Sequence, residues 1–305
     1  MSEETRGFDK TGERLRILPI LVLYNRKLDE SETYRSFVSS SRAAKLGTEL
    51  IAVYDNSPHR HVSPAEEAHL FAYKHDAENS GLAAAYNWGL GIAKAHGFCW
   101  LLLLDQDTDL PLNFIEACND AAREYEACLG VSAIVPKVLC GEKVVSPNHV
   151  ERYRLGPVSQ ATPGILSEEI TAINSGVVVR CNFVEGIGGF NRDYRLDFLD
   201  HWMFHQLHLS GRQVALSNLT IQHNLSVENY RDHVSTERYR SILAAETAFV
   251  TAYRSRFQLL IYLFRLLARC VKLTLVTRKP RLAAITLWAV ARTALHSGHG
   301  HGRSG

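Results

Sequence analysis

Short runs of hydrophobic residues alternate with longer segments of helical periodicity through the first half of the chain. The runs are rich in Val, Ile and Leu and have the length of strands, at residues 16–24, 49–54, 71–74 and 98–104. The helical segments lie between them, at 31–46 and 82–96. Strands that are hydrophobic on both faces are typical of a parallel sheet covered by helices on both sides. The pattern therefore predicts an α/β fold with a mostly parallel central sheet.

The second half of the chain has a less regular pattern. We expect a helix at 111–129, a strand at 130–137, a loop-rich segment at 140–166, an interrupted strand at 170–180, a helix at 198–209, and short strands at 213–217 and 219–222. Two further hydrophobic segments, 257–277 and 282–295, follow near the C-terminus. The pattern thus separates an α/β region from a helical C-terminal region.

Polar side chains gather where the predicted strands end. Asp105, Gln106 and Asp107 directly follow the most hydrophobic run, at the end of the strand where open α/β sheets bind ligands. Two carboxylates so close together repel each other, and Mg²⁺ or Mn²⁺ would relieve that repulsion through the oxygen ligands it prefers. The sequence therefore favours a cation site that could neutralise a diphosphate. On a helix face, the same residues would be ordinary solvated surface.

Two nearby features have a structural as well as a functional interpretation. Residues 79–89 begin an Ala-rich helix whose N-terminal amides could face an anion. The alternative is a plain packed helix with Asn79 as its cap. The carboxylate of Asp55 could accept the imide N–H of a uracil or thymine ring, and the alternative there is an Asx-turn.

Charge is unevenly distributed along the chain. The 305 residues are 46% hydrophobic, which excludes a disordered chain and a small disulfide scaffold. Lys and Arg total 34 and Asp and Glu total 32, yet ten basic residues and no acidic ones follow Glu246. The first 246 residues hold 24 basic and 32 acidic side chains, a net charge of −8, and the remainder has a net charge of +10.

The sequence favours a cytoplasmic location. The first ten residues are polar and do not resemble a signal peptide. The six cysteines form no CxxC pair and have no metal-ligand spacing, as expected of reduced thiols in the cytosol. No hydrophobic run reaches the roughly 18 uncharged residues of a membrane-spanning helix.

The order of these motifs resembles the family 2 glycosyltransferases of GT-A fold. The resemblance spans about residues 15–223. It is carried by Tyr24-Asn25, Asp55-Asn56, Asn79-x-Gly81-x-Ala83-x-Ala85-x-Asn87-x-Gly89, Asp105-x-Asp107, Gly188-Gly189-Phe190 and Phe198-Leu199-Asp200-His201. Within the family, the segments 104–108 and 198–201 are most similar to the dTDP-rhamnosyltransferases of cell-surface polysaccharide synthesis.

The resemblance implies a nucleotide-diphospho-sugar donor and assigns five residues to it. Tyr24 and Asn25 would frame the nucleoside, and Asp55 would hold the pyrimidine base. Asn79 would lie beside the nucleotide, and Asp105 would contact the ribose or the water shell of the metal.

The resemblance also implies a metal site and a general base. Asp107 would ligate Mg²⁺ or Mn²⁺, and His223 would complete the metal or diphosphate site. Asp200 stands at the position of the family's base, which takes the proton of the acceptor hydroxyl in inverting transfer. Asp197 is the competing base, and a helix N-terminal Asp favoured by the helix dipole is the structural alternative for Asp200.

Two positions near the base depart from the family pattern. Leu199 occupies a position that is often acidic in the family, and Met203 stands where some rhamnosyltransferases have an additional Asp. Histidines 201, 205 and 208 lie in this segment instead. These changes leave the donor and acceptor details open.

The C-terminal helices combine hydrophobic and basic residues. Gln258, Arg265, Arg269 and Lys272 share one side of the predicted helix 257–277. Such a helix suits the surface of an anionic membrane, and the alternative is packing on the catalytic domain or on a partner in a homodimer. A nucleic-acid function is disfavoured, since aromatic platforms and a basic catalytic face are missing.

We therefore expect a glycosyltransferase domain at 13–246, a basic amphipathic membrane-association region at 247–295, and a disordered tail at 296–305. The expected function is inverting transfer of L-rhamnose from dTDP-rhamnose to a lipid-linked or polysaccharide acceptor, at the inner face of the cell membrane. The alternatives are a UDP-hexose donor, or a non-catalytic scaffold that binds nucleotide-sugar or membrane.

Overall fold

The computed structural model describes residues 16–46, 50–151, 154–158, 162–223 and 235–297. The chain divides into two compact units, residues 1–225 and residues 226–305. We call them the N-terminal unit and the C-terminal unit. The N-terminal unit holds the sheets and the C-terminal unit is helical.

The described strands of the N-terminal unit are β1 (Ile17–Leu23), β2 (Ala52–Asp55), β3 (Ala72–His75), β4 (Trp100–Leu104), β5 (Thr108–Asp109), β6 (Val131–Cys140), β7 (Lys143–Ser146), β8 (Asn148–Glu151), β9 (Arg154–Pro157), β10 (Gly164–Leu166), β11 (Ile170–Thr171), β12 (Val177–Arg180) and β13 (Gln213–His223). Its described helices are α1 (Glu32–Ala43), α2 (Pro64–Glu67), α3 (Leu82–His96), α4 (Phe114–Glu124), α5 (Cys181–Gly186) and α6 (Leu199–Leu209).

The central sheet has the strand order β10-β13-β6-β12-β4-β1-β2-β3. Strands β4, β1, β2 and β3 pair in parallel, as do β6 and β13, whereas β12 is antiparallel to both of its neighbours. Every residue of β1 and β4 is buried, which explains their unbroken hydrophobic sequences. The structure thus confirms the predicted α/β fold with a mostly parallel central sheet.

Helix α3 packs closely on this sheet because it presents glycine to it. A Cβ atom at Gly89 would lie 2.6 Å from Cδ1 of Ile20 in β1, closer than carbon atoms can approach. The helix covers residues 82–96 as the sequence predicts, and Gly97 ends it in the left-handed conformation at φ 69°. This packing places the beginning of α3 near the carboxyl ends of the parallel strands.

The expectation of a loop-rich segment at 140–166 is wrong. This stretch contains β7, β8, β9 and β10, and β8 lies between β11 and β9 in a separate three-stranded sheet. These strands are only three or four residues long, and β10 and β8 pair with β13 and β11, which come later in the chain. Hydrophobic periodicity therefore did not reveal them.

Helix α4 is shorter than the predicted 111–129. It ends at Glu124, and the loop after it binds the buried guanidinium of Arg180, which donates to the carbonyls of Tyr125 (2.7 Å) and Val131 (3.0 Å). The guanidinium also lies 4.1 Å from the centre of the Trp100 ring. The irregular path of this loop thus gives a buried charge its hydrogen-bond acceptors.

The described part of the C-terminal unit consists of α7 (Thr236–Tyr253), α8 (Arg256–Leu275) and α9 (Pro280–Ser297). Their shared core contains Leu243, Leu259, Tyr262 and Leu266. None of these helices, nor any other in the described residues, is long and hydrophobic enough to cross a membrane.

The expected domain boundary at 246 differs from the division after Leu225. Residue 246 lies inside α7, where Glu246 forms a two-pronged ion pair with Arg269 of α8 (2.9 and 3.0 Å). Because α7 packs with α8 and α9, the break in the chain comes earlier. Helix α9 continues through His296 and Ser297, which were expected to be disordered, and residues 298–305 of the expected tail lie outside the described residues.

Candidate active site

The carboxyl ends of β1, β2 and β4 are connected by hydrogen bonds between their loops. The side-chain amide of Gln106 pairs with the backbone of Tyr24, accepting from its N–H (2.8 Å) and donating to its carbonyl (3.2 Å). The N–H of Asn25 donates to the hydroxyl of Ser57 (2.8 Å). The residues after three strands therefore form one continuous surface.

Asp105, Asp107 and His223 come together at this edge of the sheet. One ligand atom from each lies within 4.8 Å of the other two. His223 arrives at the end of β13, whose pairing with β5 sets it directly opposite Thr108. His223 Nε2 is 3.8 Å from Asp105 Oδ2, and Nδ1 is 3.9 Å from Asp107 Oδ1. We call these three residues the DDH cluster.

The electrostatics of the DDH cluster favour a bound cation. Burial and then the negative charge of Asp105 raise the pKa of the Asp107 carboxyl, although His223 and Arg26 lower it. The ionised pair is thus destabilised by itself. Two carboxylates and one imidazole are suitable ligands for Mn²⁺ and, through the oxygens, for Mg²⁺. The donor set therefore fits the predicted metal.

Two hydroxyl groups that the sequence analysis missed hold Asp105. Ser175 Oγ donates to Oδ2 (2.5 Å) and Thr108 Oγ1 donates to Oδ1 (2.7 Å). Ser175 precedes β12, in the polar interruption of the predicted strand 170–180. The antiparallel pairing of β12 with β4 brings Ser175 to Asp105. The sequence does not show this pairing, so the polar interruption was the only sign of a functional residue there.

Asp55 is fully buried, and its carboxylate accepts hydrogen bonds from the loop that follows it and from β3. Its Oδ1 accepts from the N–H of Ser57 (3.0 Å), and its Oδ2 accepts from the N–H of His61 (3.0 Å) and the hydroxyl of Tyr73 (3.1 Å). The Ser57 contact is the Asx-turn that the sequence offered as an alternative. Tyr24, by contrast, is 47% exposed at the same edge. The binding of a base by Asp55 stays a prediction.

The sequence suggested that the amides at the beginning of α3 could face an anion. In the structure, one of them already has a partner. The N–H of Leu82 donates to the carbonyl of Arg195 (2.6 Å), and the guanidinium of Arg195 donates to the carbonyl of Asn79. The carbonyl of Arg195 comes so close to Gly81 that a Cβ there would lie only 2.2 Å from the oxygen. Gly81 is therefore required for this contact, and Asn79 beside it has a φ of 48°.

Asn87 and Gly189, both parts of the recognised pattern, have a structural function. The Asn87 side chain accepts from the N–H of Phe190 (2.8 Å) and donates to its carbonyl (2.7 Å). A Cβ at Gly189 would lie 2.5 Å from Asn87 Oδ1. This pair attaches the loop before α6 to α3.

Asp200 lies half-buried in the first turn of α6 and accepts from the N–H of His201 (2.8 Å). Trp202 and Phe204 follow it in the same helix and are buried, and the role of Asp200 as the base stays a prediction. Phe198, which precedes the helix, has a φ of 65°, an unusual conformation for an aromatic residue and one that is found at functional sites.

The pKa of the buried Tyr86 phenol is affected by carboxylates from both parts of the candidate site, Asp105 and Asp200. Burial, and then the charges of Asp105 and Asp200, raise its pKa well above the usual value. The fields of the DDH cluster and of Asp200 therefore reach the same side chain of α3.

Residues 20–158 match the family model for glycosyl transferase family 2. The match covers a little under half of the chain, and the mostly parallel central sheet is consistent with the GT-A fold. No curated protein matched the sequence.

Two of the similar solved structures are of TarS from S. aureus. The crystal structure of TarS 1–349 has a TM-score of 0.49 and 11% identity, covering 94% of this chain and 93% of that one. The crystal structure of S. aureus TarS has a TM-score of 0.50 and 13% identity, covering 92% of this chain and 50% of that one. The chain thus spans half the length of the second structure, and that likeness concerns the fold alone.

Proposed function

We propose that this chain is an inverting glycosyltransferase that moves a sugar from a nucleotide-diphospho-sugar to a glycan acceptor. The observation that carries the proposal is the DDH cluster at the carboxyl ends of the parallel strands, whose two aspartates lie within the residues that match the family 2 model. Substrates of open α/β sheets bind at this edge. A charged cluster there, next to a surface that could hold a nucleoside, suits a donor with a diphosphate.

In this proposal Asp107 and His223 hold Mg²⁺ or Mn²⁺, and Asp105 contacts the ribose or the water shell. The bound cation would neutralise the charge that develops on the departing diphosphate. The chain's own contribution is to hold the three side chains together before the donor arrives. Hydrogen bonds from Ser175 and Thr108 keep Asp105 in place, which limits reorganisation during the reaction.

Asp200 is the proposed general base. Its carboxylate would accept the proton of the acceptor hydroxyl while that oxygen bonds to the anomeric carbon. The bond from the anomeric carbon to the phosphate oxygen breaks, and its electron pair leaves with the nucleoside diphosphate. A single displacement of this kind inverts the anomeric configuration. Asp197 remains the alternative base.

For the donor we propose dTDP-rhamnose, on the similarity of segments 104–108 and 198–201 to the dTDP-rhamnosyltransferases. Tyr24, Asn25 and Asn79 would border the nucleotide. Asp55 Oδ1 accepts a single hydrogen bond, so one acceptor direction is left for a thymine imide, provided that the loop 56–61 opens. A UDP-hexose donor is the enzymatic alternative, and a non-catalytic scaffold is the alternative of another class.

For the acceptor we propose a lipid-linked or polysaccharide glycan at the inner face of the cell membrane. The basic composition of the C-terminal unit supports this location, since ten basic and no acidic residues follow Glu246. A homodimer through the C-terminal helices is the alternative use of that unit.

A donor screen with the full chain tests the proposal. The chain is incubated with Mn²⁺, a rhamnose-terminated or lipid-linked acceptor and, in turn, dTDP-rhamnose and UDP-hexoses, and released nucleoside diphosphate is measured. We expect release with dTDP-rhamnose that EDTA abolishes. Release with only a UDP-hexose would correct the donor. Nucleotide-sugar binding without release from any donor would favour the scaffold.

A further inference from the structure

Helix α8 carries a stripe of exposed hydrophobic side chains along one side. Its members recur every three or four residues: Phe257, Leu260, Phe264, Leu267, Val271 and Leu275. We call them the α8 stripe. The opposite side of the helix, with Leu259, Tyr262 and Leu266, is packed in the core of the C-terminal unit. The fold of the unit therefore leaves an outward hydrophobic face on α8, and Phe264 in its middle is 70% exposed.

Basic residues border the α8 stripe on one edge. Arg265 and Lys272 are exposed and seven residues apart, so they lie on the same side of the helix, next to the stripe. Arg269, expected in the same basic row, instead faces α7 and pairs with Glu246. The outward surface of α8 thus combines a hydrophobic centre with a positive edge.

We infer that the α8 stripe is the surface through which this chain docks on an anionic lipid bilayer, an inference that rests on the peripheral location proposed above. Charge complementarity selects the bilayer: pairing two copies through this face would bring like charges together, whereas acidic headgroups would meet Arg265 and Lys272. The exposed hydrophobic residues lie along one side of α8, and a helix of this kind lies in the plane of the interface with that side among the acyl chains.

Vesicle sedimentation of the full chain tests the docking surface. The vesicles are phosphatidylcholine with or without phosphatidylglycerol, and the variant combines Leu260→Ser with Phe264→Ser. The matched control is Leu129→Ser, an exposed leucine of the N-terminal unit. We expect the double variant to bind anionic vesicles at least roughly tenfold more weakly, given the hydrophobic area removed, and the control to bind like the wild type.

Two outcomes would overturn the docking inference. One is unchanged binding of the double variant to anionic vesicles. The other is a wild-type dimer in sedimentation velocity that the double variant converts to a monomer, which would make the stripe an interface between copies. Arg265→Gln with Lys272→Gln should weaken binding to anionic vesicles only. Mn²⁺ binding measured in solution is expected to be unchanged in all of these variants, so failure of docking and failure of the catalytic proposal are distinguishable.

A second inference comes independently from the hydrogen bonds around Thr108. Its buried hydroxyl lies 2.7 Å from Asp105 Oδ1 and 3.0 Å from His223 Nδ1. An ionised carboxylate only accepts hydrogen bonds, so the single hydroxyl proton of Thr108 goes to Asp105. The hydroxyl oxygen is then able to accept from His223, which would place the imidazole proton on Nδ1.

We propose that Thr108 is a positioning residue that sets the tautomer of His223. With the proton on Nδ1, the lone pair of Nε2 is the one available for a cation, and Nε2 is the ring nitrogen 3.8 Å from Asp105 Oδ2. Partners of this kind orient metal-binding imidazoles in many proteins. The same hydroxyl therefore holds one carboxylate and one imidazole of the DDH cluster.

The tautomer of His223 can be measured without any metal or substrate. Side-chain ¹⁵N NMR of the full chain at neutral pH, with His223 assigned from a His223→Gln variant, should show the proton on Nδ1. In Thr108→Val the proton should shift toward Nε2, and Mn²⁺ affinity should fall roughly tenfold or more. Thr108→Ser, which keeps the hydroxyl, should restore both properties and controls for folding. A wild-type proton on Nε2, or an unchanged tautomer and Mn²⁺ affinity in Thr108→Val, would overturn the proposal.

Discussion

Two strand ends of the same sheet carry aspartates in very different states. Asp55, at the end of β2, is fully buried and accepts two hydrogen bonds from the loop that follows it and one from Tyr73 of β3. Asp105 and Asp107, after β4, are half-exposed and so close that burial and mutual repulsion raise the pKa of Asp107. An Asp at the end of a hydrophobic strand is therefore not a functional signal by itself. Its partners decide how much of the carboxylate is left to bind a ligand.

The largest effect is expected at the proposed base. Asp200→Asn removes the group that takes the acceptor proton, so transfer should fall at least about 100-fold, while calorimetry should still detect donor binding. Asp197→Asn is the matched control and should retain most of the activity. If Asp200→Asn keeps turnover within threefold of the wild type, or if Asp197→Asn shows the loss instead, the base is assigned wrongly.

Asp55→Asn probes the structural side of the comparison. In the wild type, both carboxylate oxygens accept hydrogen bonds from N–H or O–H donors. In the variant, an NH₂ group replaces one of these oxygens, so at least one buried donor loses its acceptor. We expect a loss of roughly 2–4 kcal/mol in the free energy of unfolding, measured by urea denaturation. Asp109→Asn, at an exposed position on β5, should change it by less than about 0.5 kcal/mol. Equal stability of the two variants would contradict the structural role of Asp55.

Ser175→Ala sharpens the chemical side of the comparison. Without the hydroxyl, Asp105 Oδ2 loses its 2.5 Å hydrogen bond, and the carboxylate becomes less well oriented. Mn²⁺ affinity, measured by electron paramagnetic resonance, should fall roughly tenfold. Ser217→Ala, which removes a hydroxyl that donates to the Val135 carbonyl instead, is the control. Unchanged affinity in Ser175→Ala would mean that the hydroxyl does not support the cluster.

The smallest effect is the pH dependence of stability in the metal-free chain. Because the pKa of Asp107 is raised in the folded state from its usual 3.8, the folded chain loses stability as pH rises from that value through the folded-state pKa. Asp107→Asn should therefore be more stable than the wild type above this range, and equally stable below it. The gain should stay under about 1 kcal/mol, since the side chain is half-exposed. If Asp107→Asn is less stable than the wild type at neutral pH with EDTA present, the repulsion between Asp105 and Asp107 is contradicted.

The sequence predicted best those features that depend on continuous hydrophobic burial. Strands β1 and β4 and helix α3 were recognisable because buried strands and a glycine-containing helix leave direct traces in the residue order. The cluster of Asp105 and Asp107 followed from the position of β4 alone. Its third member, His223, came from the family resemblance, and the structure explains it by the pairing of β13 with β5.

Other features depend on partners that are distant in the sequence and could not be predicted. Within 140–166, β10 pairs with β13 and β8 pairs with β11. The hydroxyl of Ser175 reaches Asp105 only because β12 pairs with β4, and the hydroxyl of Thr108 reaches His223 only because β13 pairs with β5. Helix α7 was not predicted, because its hydrophobic residues do not form a strong one-sided pattern, and its pairing with α8 moved the domain boundary away from Glu246.

Titration of the metal-free chain with Mn²⁺ tests the contrast between the two strand ends most directly. Wild type, Asp107→Asn and Asp55→Asn are titrated in parallel by calorimetry at a temperature where all three are folded. The account predicts that Asp107→Asn loses Mn²⁺ binding, whereas Asp55→Asn binds Mn²⁺ like the wild type despite its lower stability. Mn²⁺ binding that survives in Asp107→Asn, or that is lost in the folded Asp55→Asn, would contradict it.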